Sequence, residues 1–415
     1  MKKLILYGAG TVGKGMAVEL KYREIPIECF CDSDPAKCAT YFSGYTVRSV
    51  EEVKRDYPQG SFQILLTMGS KAAAKVKKDL IDHGIFAKSD FYDEEEDPLQ
   101  LMPLFMIASP DYDLSNMLSQ ELMANFRQLD ESARKAVAEG LLAHYYCVGK
   151  IEDLPSDCAR EDFWDHLFGR LDIDRKRVVP WLNEIHKLKG AAVLEIGCGT
   201  GASTVALCEQ GARVTAIDAN GQSLEVSKIR LGAYGLEADV RHINAEDISV
   251  VFEGRRFDLV IYFASLEHMT YRERIKSLRA AFQMLTPDGQ VVLAEIPNRL
   301  WFVDQHTSNE PFYNWLPDDL AMEYSKFTPR KGFNQGFDVS DTQDILRFAR
   351  WGRGVSYHEL EVALGGREHI HVTSSLSSYL GVPDSVYKRF LKLCGPAEIH
   401  EGFYDPYLYI AMKRQ

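Results

Sequence analysis

Leu194-Glu195-Ile196-Gly197-Cys198-Gly199-Thr200-Gly201 decides how this chain is read. The run Ala192-Val193-Leu194-Glu195-Ile196 has the apolar character of a buried strand, and glycines at alternate positions follow it. A glycine lets the backbone turn sharply and approach a ligand that a Cβ would hold off. The alternate spacing suits a cofactor pressed against the main chain, and it differs from the G-x-G-x-x-G of dinucleotide sites. Downstream, Val214-Thr215-Ala216-Ile217 is a second strand closed by Asp218, where a carboxylate can accept from both hydroxyls of a ribose. Phe257-Asp258-Leu259-Val260-Ile261-Tyr262 is a third strand. Gln290 to Ile296, introduced by Pro287-Asp288-Gly289, is a fourth, and Tyr407 to Met412 closes the chain as another.

Upstream, the same rhythm occurs at the N-terminus. Leu4 to Tyr7 reads as a strand, Gly8-Ala9-Gly10-Thr11-Val12-Gly13 as a turn, and the stretch to about Lys21 as a helix. Ile27 to Cys31 is the next strand, ending at Asp32. Ile64 to Thr67 is another, followed by Gly69-Ser70 and a helix from Lys71 to His83. Strands alternating with helices imply a parallel α/β sheet. The acidic run Asp93 to Asp97 marks a solvated boundary. Beyond it, Ser115 to Leu129 and Glu131 to Tyr146 carry apolar residues at helical spacing. The expected organisation is a Rossmann-like nucleotide-binding-type module over 1–97, a helical connector or cap over 98–185, and a second α/β domain over 186–415. An aromatic-rich insertion at about 299–396 interrupts the last.

Length and composition are consistent with this division. A chain of 415 residues exceeds one ordinary core, and 46% hydrophobic with 26% charged residues is a globular balance. No apolar stretch approaches the roughly 20 residues of a membrane span, and the apolar N-terminal run stops at Gly8, so a cytoplasmic location is expected. A net charge of -12 disfavours nucleic acid as partner. Cys29, Cys31 and Cys38 lack the paired spacing of a zinc site and read as buried thiols.

The second α/β domain resembles the class I SAM-dependent methyltransferases. Their E/D-x-G-x-G-x-G loop matches Glu195, Gly197, Gly199 and Gly201, their second-strand acid matches Asp218, and their F-D-x-V strand matches Phe257 to Val260. Leu285 to Gly289 matches the segment that leads into their next strand. The resemblance covers about 186–298 and the last ten or so residues. It implies S-adenosylmethionine (SAM) as cofactor, with the glycines and Cys198 against the methionine moiety and Asp218 on the ribose. Asn244-Ala245-Glu246 would stand near the adenine, and Phe263 is a further cofactor contact; asparagine occupies the position where the family often has an acid. The N-terminal module resembles small Rossmann-like modules of nucleotide-sugar and surface-glycan enzymes. That likeness implies a nucleotide or dinucleotide site at Gly8, Gly10, Gly13 and Asp32, against a docking or structural role.

Substrate-side candidates come from two places. Glu267 and His268 follow the Phe257–Tyr262 strand at the carboxyl edge of the sheet, where His268 can act as a base and Glu267 can orient it. In the insertion, Trp301, Asp304, His306, Glu310, Phe312, Trp315, Asp318 and Asp319 suit a lid over a polar acceptor, with His306 as a further base. Arg347, Arg350 and Arg353, with Phe348 and Trp351, suit an anion, and Tyr357-His358-Glu359 offers another base. His369 and His371 alternate as on a strand. No metal is expected, because spacing identifies no third ligand. The expected activity is methylation of an oxygen or nitrogen on a small molecule or sugar. The alternatives are a nucleotide- and SAM-sensing scaffold, or methylation of a protein; oligomerisation stays open.

Overall fold

The computed structural model describes residues 2–94, 96–101 and 118–413. The chain divides into two compact units, one formed by 1–113 with 381–394, the other by 114–380 with 395–415. The first unit is a five-stranded sheet in the order β3 (Tyr41–Phe42), β4 (Tyr45–Arg48), β2 (Ile27–Cys31), β1 (Lys3–Tyr7), β5 (Phe62–Leu66). β1 pairs in parallel with both β2 and β5, as the βα rhythm requires. Fully buried Leu6, Leu20 and Phe30 form the core on one face, and Ile5, Val53 and Ile64 the core on the other. The helix Val386–Cys394 also belongs here. Its Val386 N–H donates to Glu19 Oε1 at 2.6 Å, and Arg389 lies over the Tyr22 ring at 4.5 Å. The sequence reading assigned that segment to the insertion of the second domain; its partners lie on the first helix of the chain.

The second unit is a seven-stranded sheet. Its order is β11 (His371–Ser375), β12 (Tyr407–Lys413), β10 (Leu285–Pro297), β9 (Phe257–Phe263), β6 (Ala192–Ile196), β7 (Arg213–Asp218), β8 (Asp239–His242). β6, β7, β8, β9 and β10 run parallel, and β12 runs antiparallel to both β10 and β11. The order reverses between β6 and β9, which leaves a crevice at their carboxyl ends.

The helical stretch 118–185 is part of this unit and covers the sheet. Trp181 and Leu182 are fully buried against Val193, Val205 and Leu259, while Val137, Leu141 and Phe163 pack on Val226. The run Asp157–Ile185 is helical throughout, with wide turns at Asp165–Gly169 and Asp174–Val178. Residues 298–370 form short helices and turns around a small core of Tyr313, Met322, Phe333 and Phe348. Arg353 is turned into that core, over the Phe348 ring at 5.4 Å and donating to the Asn314 and Leu316 carbonyls. The structure therefore removes Arg353 from the expected anion patch. His369 ends a short 3-10 turn and His371 begins β11, so the two share no strand face.

Candidate active site

The crevice between β6 and β9 opens into a cavity of about 1080 Å³. Its floor is the turn after β6. Gly197, Gly199 and Gly201 have φ of +82°, +50° and +81°, left-handed values that favour glycine. A Cβ on Gly197 would strike Ser265, and one on Gly201 would strike Ser227; at Gly199 no atom stands within 4 Å, so the space there is free for a ligand. Asp218 ends β7 and faces this turn. Its Oδ2 accepts from the Gly199 N–H at 2.9 Å and its Oδ1 from the Asn220 N–H at 2.7 Å, and burial nonetheless raises its pKa. Cys198, Asn244, Ala245, Glu246 and Phe263 line the same cavity. The Cys198 thiol is buried, which raises its pKa and keeps it a neutral packing group.

Glu195 stands apart from its expected place. It is fully buried and absent from the cavity wall, and its carboxyl accepts from the Ser203 hydroxyl and from Thr204 Oγ1, the latter at 2.7 Å. Side chains alternate across a strand, so this one turns under the helix Ala202–Glu209 and pins it to β6. Burial pushes its pKa up to about 7. Glu195 ties the helix that follows the glycine turn to β6 and is not part of the cavity wall.

The opposite wall comes from residues that sequence reasoning missed. His166, Arg170 and Asp174 lie at i, i+4 spacing on the helical run 157–185 and line the cavity together with Tyr145. His166 Nδ1 is 3.1 Å from Thr200 Oγ1, and Arg230, fully buried, donates to the Thr200 and His166 carbonyls at 2.8 and 2.7 Å. These bonds fasten the glycine turn to the helix. Glu295, also missed, reaches the cavity from a bulge in β10 where its φ is +59°. Three polar residues four apart in an otherwise amphipathic helix were a signal available in the sequence; the bulge was not.

The substrate-side candidates converge in part. His268, His306, Arg347, Arg350 and Trp351 line the cavity, as does Arg330. His268 Nδ1 lies 2.9 Å from the Arg350 carbonyl. A carbonyl only accepts, so Nδ1 carries the proton and Nε2 keeps its lone pair. Burial lowers the His268 pKa. The His306 ring centroid is 5.4 Å from that of His268, and burial, then the His268 and Arg330 charges, lower the His306 pKa to about 4. Asp304, buried, accepts from the backbone N–H groups of His306, Thr307 and Ser308, so it shapes the turn that presents His306. Glu267 is fully buried behind His268, its Oε1 3.9 Å from His268 Nε2, and burial raises its pKa to about 8.

Several other candidates stand elsewhere. Trp301, Glu310, Phe312, Trp315, Asp318 and Asp319 are outside the cavity wall, and Asp318 pairs with Arg353 at 2.8 Å. The His358 ring stacks on Tyr357 at 4.0 Å, and Glu359 pairs with Arg274 at 3.1 Å. Cys29 and Cys31 are buried, and burial raises both thiol pKa values, whereas Cys38, also expected to be buried, is only half-buried. In the first unit, Gly8, Gly10, Gly13 and Asp32 do come together: Asp32 Oδ2 accepts from the Ala9 N–H at 2.8 Å and pairs with Lys37 at 3.2 Å. A Cβ on Gly13 would strike the Gly8 carbonyl, so this glycine permits close packing of helix on strand. Among the described residues no helix is long and apolar enough to cross a membrane.

The strand order, the lone antiparallel strand β12, and the glycine turn facing an acid at the end of β7 are those of the class I methyltransferase fold. A family model described as a methyltransferase domain matches residues 193–289. The ubiquinone biosynthesis O-methyltransferase of Stutzerimonas stutzeri (strain A1501) is 36% identical over 118 residues, 28% of this chain and 50% of that protein. The enzyme of the same name from Aromatoleum aromaticum (strain DSM 19018 / LMG 30748 / EbN1) is 33% identical over 171 residues, 41% of this chain and 62% of that one. This chain thus spans about half the length of the first of these curated relatives. Among solved structures, magnesium protoporphyrin IX methyltransferase from Synechocystis PCC 6803 with bound SAM is similar at 21% identity and a TM-score of 0.30, covering 42% of this chain and 80% of that one.

Proposed function

We propose that this protein methylates a hydroxyl oxygen of a small polar molecule, using SAM. The observation that carries the reading is the turn at Gly199: free space where a Cβ would stand, bounded by the Asp218 carboxylate. Each Asp218 oxygen accepts one N–H and has a further lone pair for a ribose hydroxyl. Asn244, whose amide can both donate and accept, suits the adenine edge, and the Arg170 guanidinium suits the cofactor's carboxylate. When bound, SAM supplies a sulfonium methyl group, an electrophile that needs alignment more than activation. The chain's own part is to hold the acceptor in line, exclude water and take a proton. His268 Nε2, with Nδ1 fixed on the Arg350 carbonyl, supports the role of base. His306, Arg330 and Trp351 form the acceptor side of the cavity, which suits an acceptor bearing an anionic group beside its hydroxyl.

Oxygen is favoured over nitrogen by the O-methyltransferase relatives. A sugar or glycan precursor remains the acceptor class to try first, given the N-terminal module. There, a nucleotide at Gly8, Gly10, Gly13 and Asp32 has to displace the Lys37 ion pair with Asp32. The test is calorimetric titration with SAM, followed by mass-spectrometric detection of S-adenosylhomocysteine across a panel of hydroxyl acceptors. Micromolar SAM binding with turnover supports the proposal; binding without turnover across the panel favours the sensing alternative, and no SAM binding overturns both.

A further inference from the structure

We propose that Glu267, His268 and His306 form a site for a first-row divalent transition-metal ion in the wall of the cavity, which His268 and His306 line and behind which Glu267 is buried. One ligand atom from each of the three lies within 4.8 Å of the others. Glu267 and His268 stand on the turn after β9, whereas His306 comes from the segment after β10, beyond the 193–289 matched by the family model. The convergence is therefore a property of this chain's own insertion.

The second observation is an unmet polar demand. Both Glu267 carboxyl oxygens and His306 Nδ1 are buried without a hydrogen bond of good geometry, their only approaches being to the backbone of Glu267 and of Gly352. A buried carboxyl in that state costs folding free energy that a partner would recover. The neighbouring arginines do not supply the partner. Arg274 gives its donors to Glu359 and to the Glu267, Met269 and Arg353 carbonyls; Arg350 pairs with Glu273 at 2.7 Å. Arg330 donates to the His306 carbonyl and lies over the Trp351 ring at 5.7 Å. A cation between the three side chains gives the buried Glu267 carboxyl the partner it lacks.

The local architecture has the features of a ligand set. His268 is held through Nδ1 by a backbone carbonyl, the arrangement that fixes the tautomer of metal-binding histidines and aims Nε2 at the ion. Asp304 fixes the turn that carries His306 through backbone hydrogen bonds. Gly352 lets the chain pass against both rings: a Cβ there would strike His306 and come within 3.1 Å of His268. Two imidazole nitrogens and one carboxylate suit zinc, manganese or ferrous iron, whereas magnesium and calcium favour all-oxygen sets. Bonds of about 2.1 Å place tetrahedral ligand atoms roughly 3.4 Å apart, so capture draws Glu267 Oε1 and His268 Nε2 closer than their present 3.9 Å.

Three protein ligands leave coordination positions open towards the cavity. Within the methyl-transfer reading, on which this use of the ion rests, those positions take the acceptor's hydroxyl and a neighbouring oxygen. The ion lowers the pKa of the bound hydroxyl, whose proton is released to solvent as the acceptor binds and water is displaced. His268 then serves as a ligand, and the separate base of the metal-free reading is no longer needed.

The experiment uses the full chain, stripped with chelator, desalted, and titrated with Mn²⁺ or Zn²⁺. Bound metal is counted by plasma mass spectrometry and Mn²⁺ by paramagnetic resonance. The wild type is expected to bind about one equivalent, and Glu267→Gln and His306→Ala to bind on the order of 100-fold more weakly. Zn²⁺ should raise the melting temperature of the wild type and of neither variant. Circular dichroism and SAM titration on each variant establish that it is folded. Wild type that binds neither ion, or folded variants that bind as tightly as wild type, overturns the site. Metal binding without SAM binding would instead sink the methyltransferase reading and leave the ion site standing.

Discussion

Asp218→Ala is the substitution that most directly tests the cofactor space. In the structure each Asp218 oxygen accepts one backbone N–H, from Gly199 and from Asn220, and keeps one acceptor direction for the ligand. A hydrogen bond to a charged group contributes roughly 1.5–3 kcal/mol net. Two such bonds to a ribose diol amount to about 3 kcal/mol at the lower end, which corresponds to roughly 150-fold in affinity. Losing the Gly199 anchor loosens the turn as well, so this is a lower figure. Calorimetric titration of SAM into wild type and variant measures it, with melting curves to confirm folding. Asp32→Ala is the matched control, because Asp32 makes the corresponding contact to Ala9 at 2.8 Å in the first unit. It should leave SAM affinity within about twofold of wild type, well under the 1.4 kcal/mol that marks a tenfold change. An Asp218→Ala protein that is folded and binds SAM within threefold of wild type would refute the assignment of this turn.

Glu195 makes a pH-dependent prediction. Its pKa rises from 4.5 to about 7 through burial, so the folded state holds the proton more tightly than the unfolded chain. Its contribution is fully present below pH 4.5 and is lost as pH rises through about 7. Glu195→Gln, which cannot ionise, should gain stability relative to wild type between those limits, by roughly 3 kcal/mol. Urea unfolding at pH 4.5, 6 and 8 reads this, and a difference that does not change with pH refutes it. Arg353→Ala should lower stability by roughly 3 kcal/mol, because the buried Asn314 and partly buried Leu316 carbonyls lose their donor and Asp318 the nearer of its two arginines. Its SAM affinity should match that of wild type; an unchanged melting temperature or a lost cofactor would show that Arg353 belongs to the cavity instead.

The sequence determined the parts that depend on near neighbours in the chain. An aliphatic run followed by alternate glycines can do little other than end a buried strand in a left-handed turn, and Asp218 had to fall at the edge of the next strand. The strands β6, β7, β9, β10 and β12 were legible for the same reason. β8 was not, because Asp239 to His242 forms an edge strand whose side chains stay partly exposed and carry no apolar pattern. Glu195 matched the motif, yet its role depends on which face of β6 it occupies, and only the helix packed there settles that.

Tertiary structure alone decided the rest. The segment 98–185 read as a helical connector or cap; its described part, 118–185, buries one face against the sheet and places His166, Arg170 and Asp174 on the cavity wall. His306 lies 38 residues beyond His268 in the sequence, and no spacing rule links them. They meet because β10 runs parallel to β9, so the loops that follow the two strands emerge at the same edge of the sheet. Helical and strand periodicities operate over a few residues, whereas a site built from several loops depends on strand order, which long-range burial fixes.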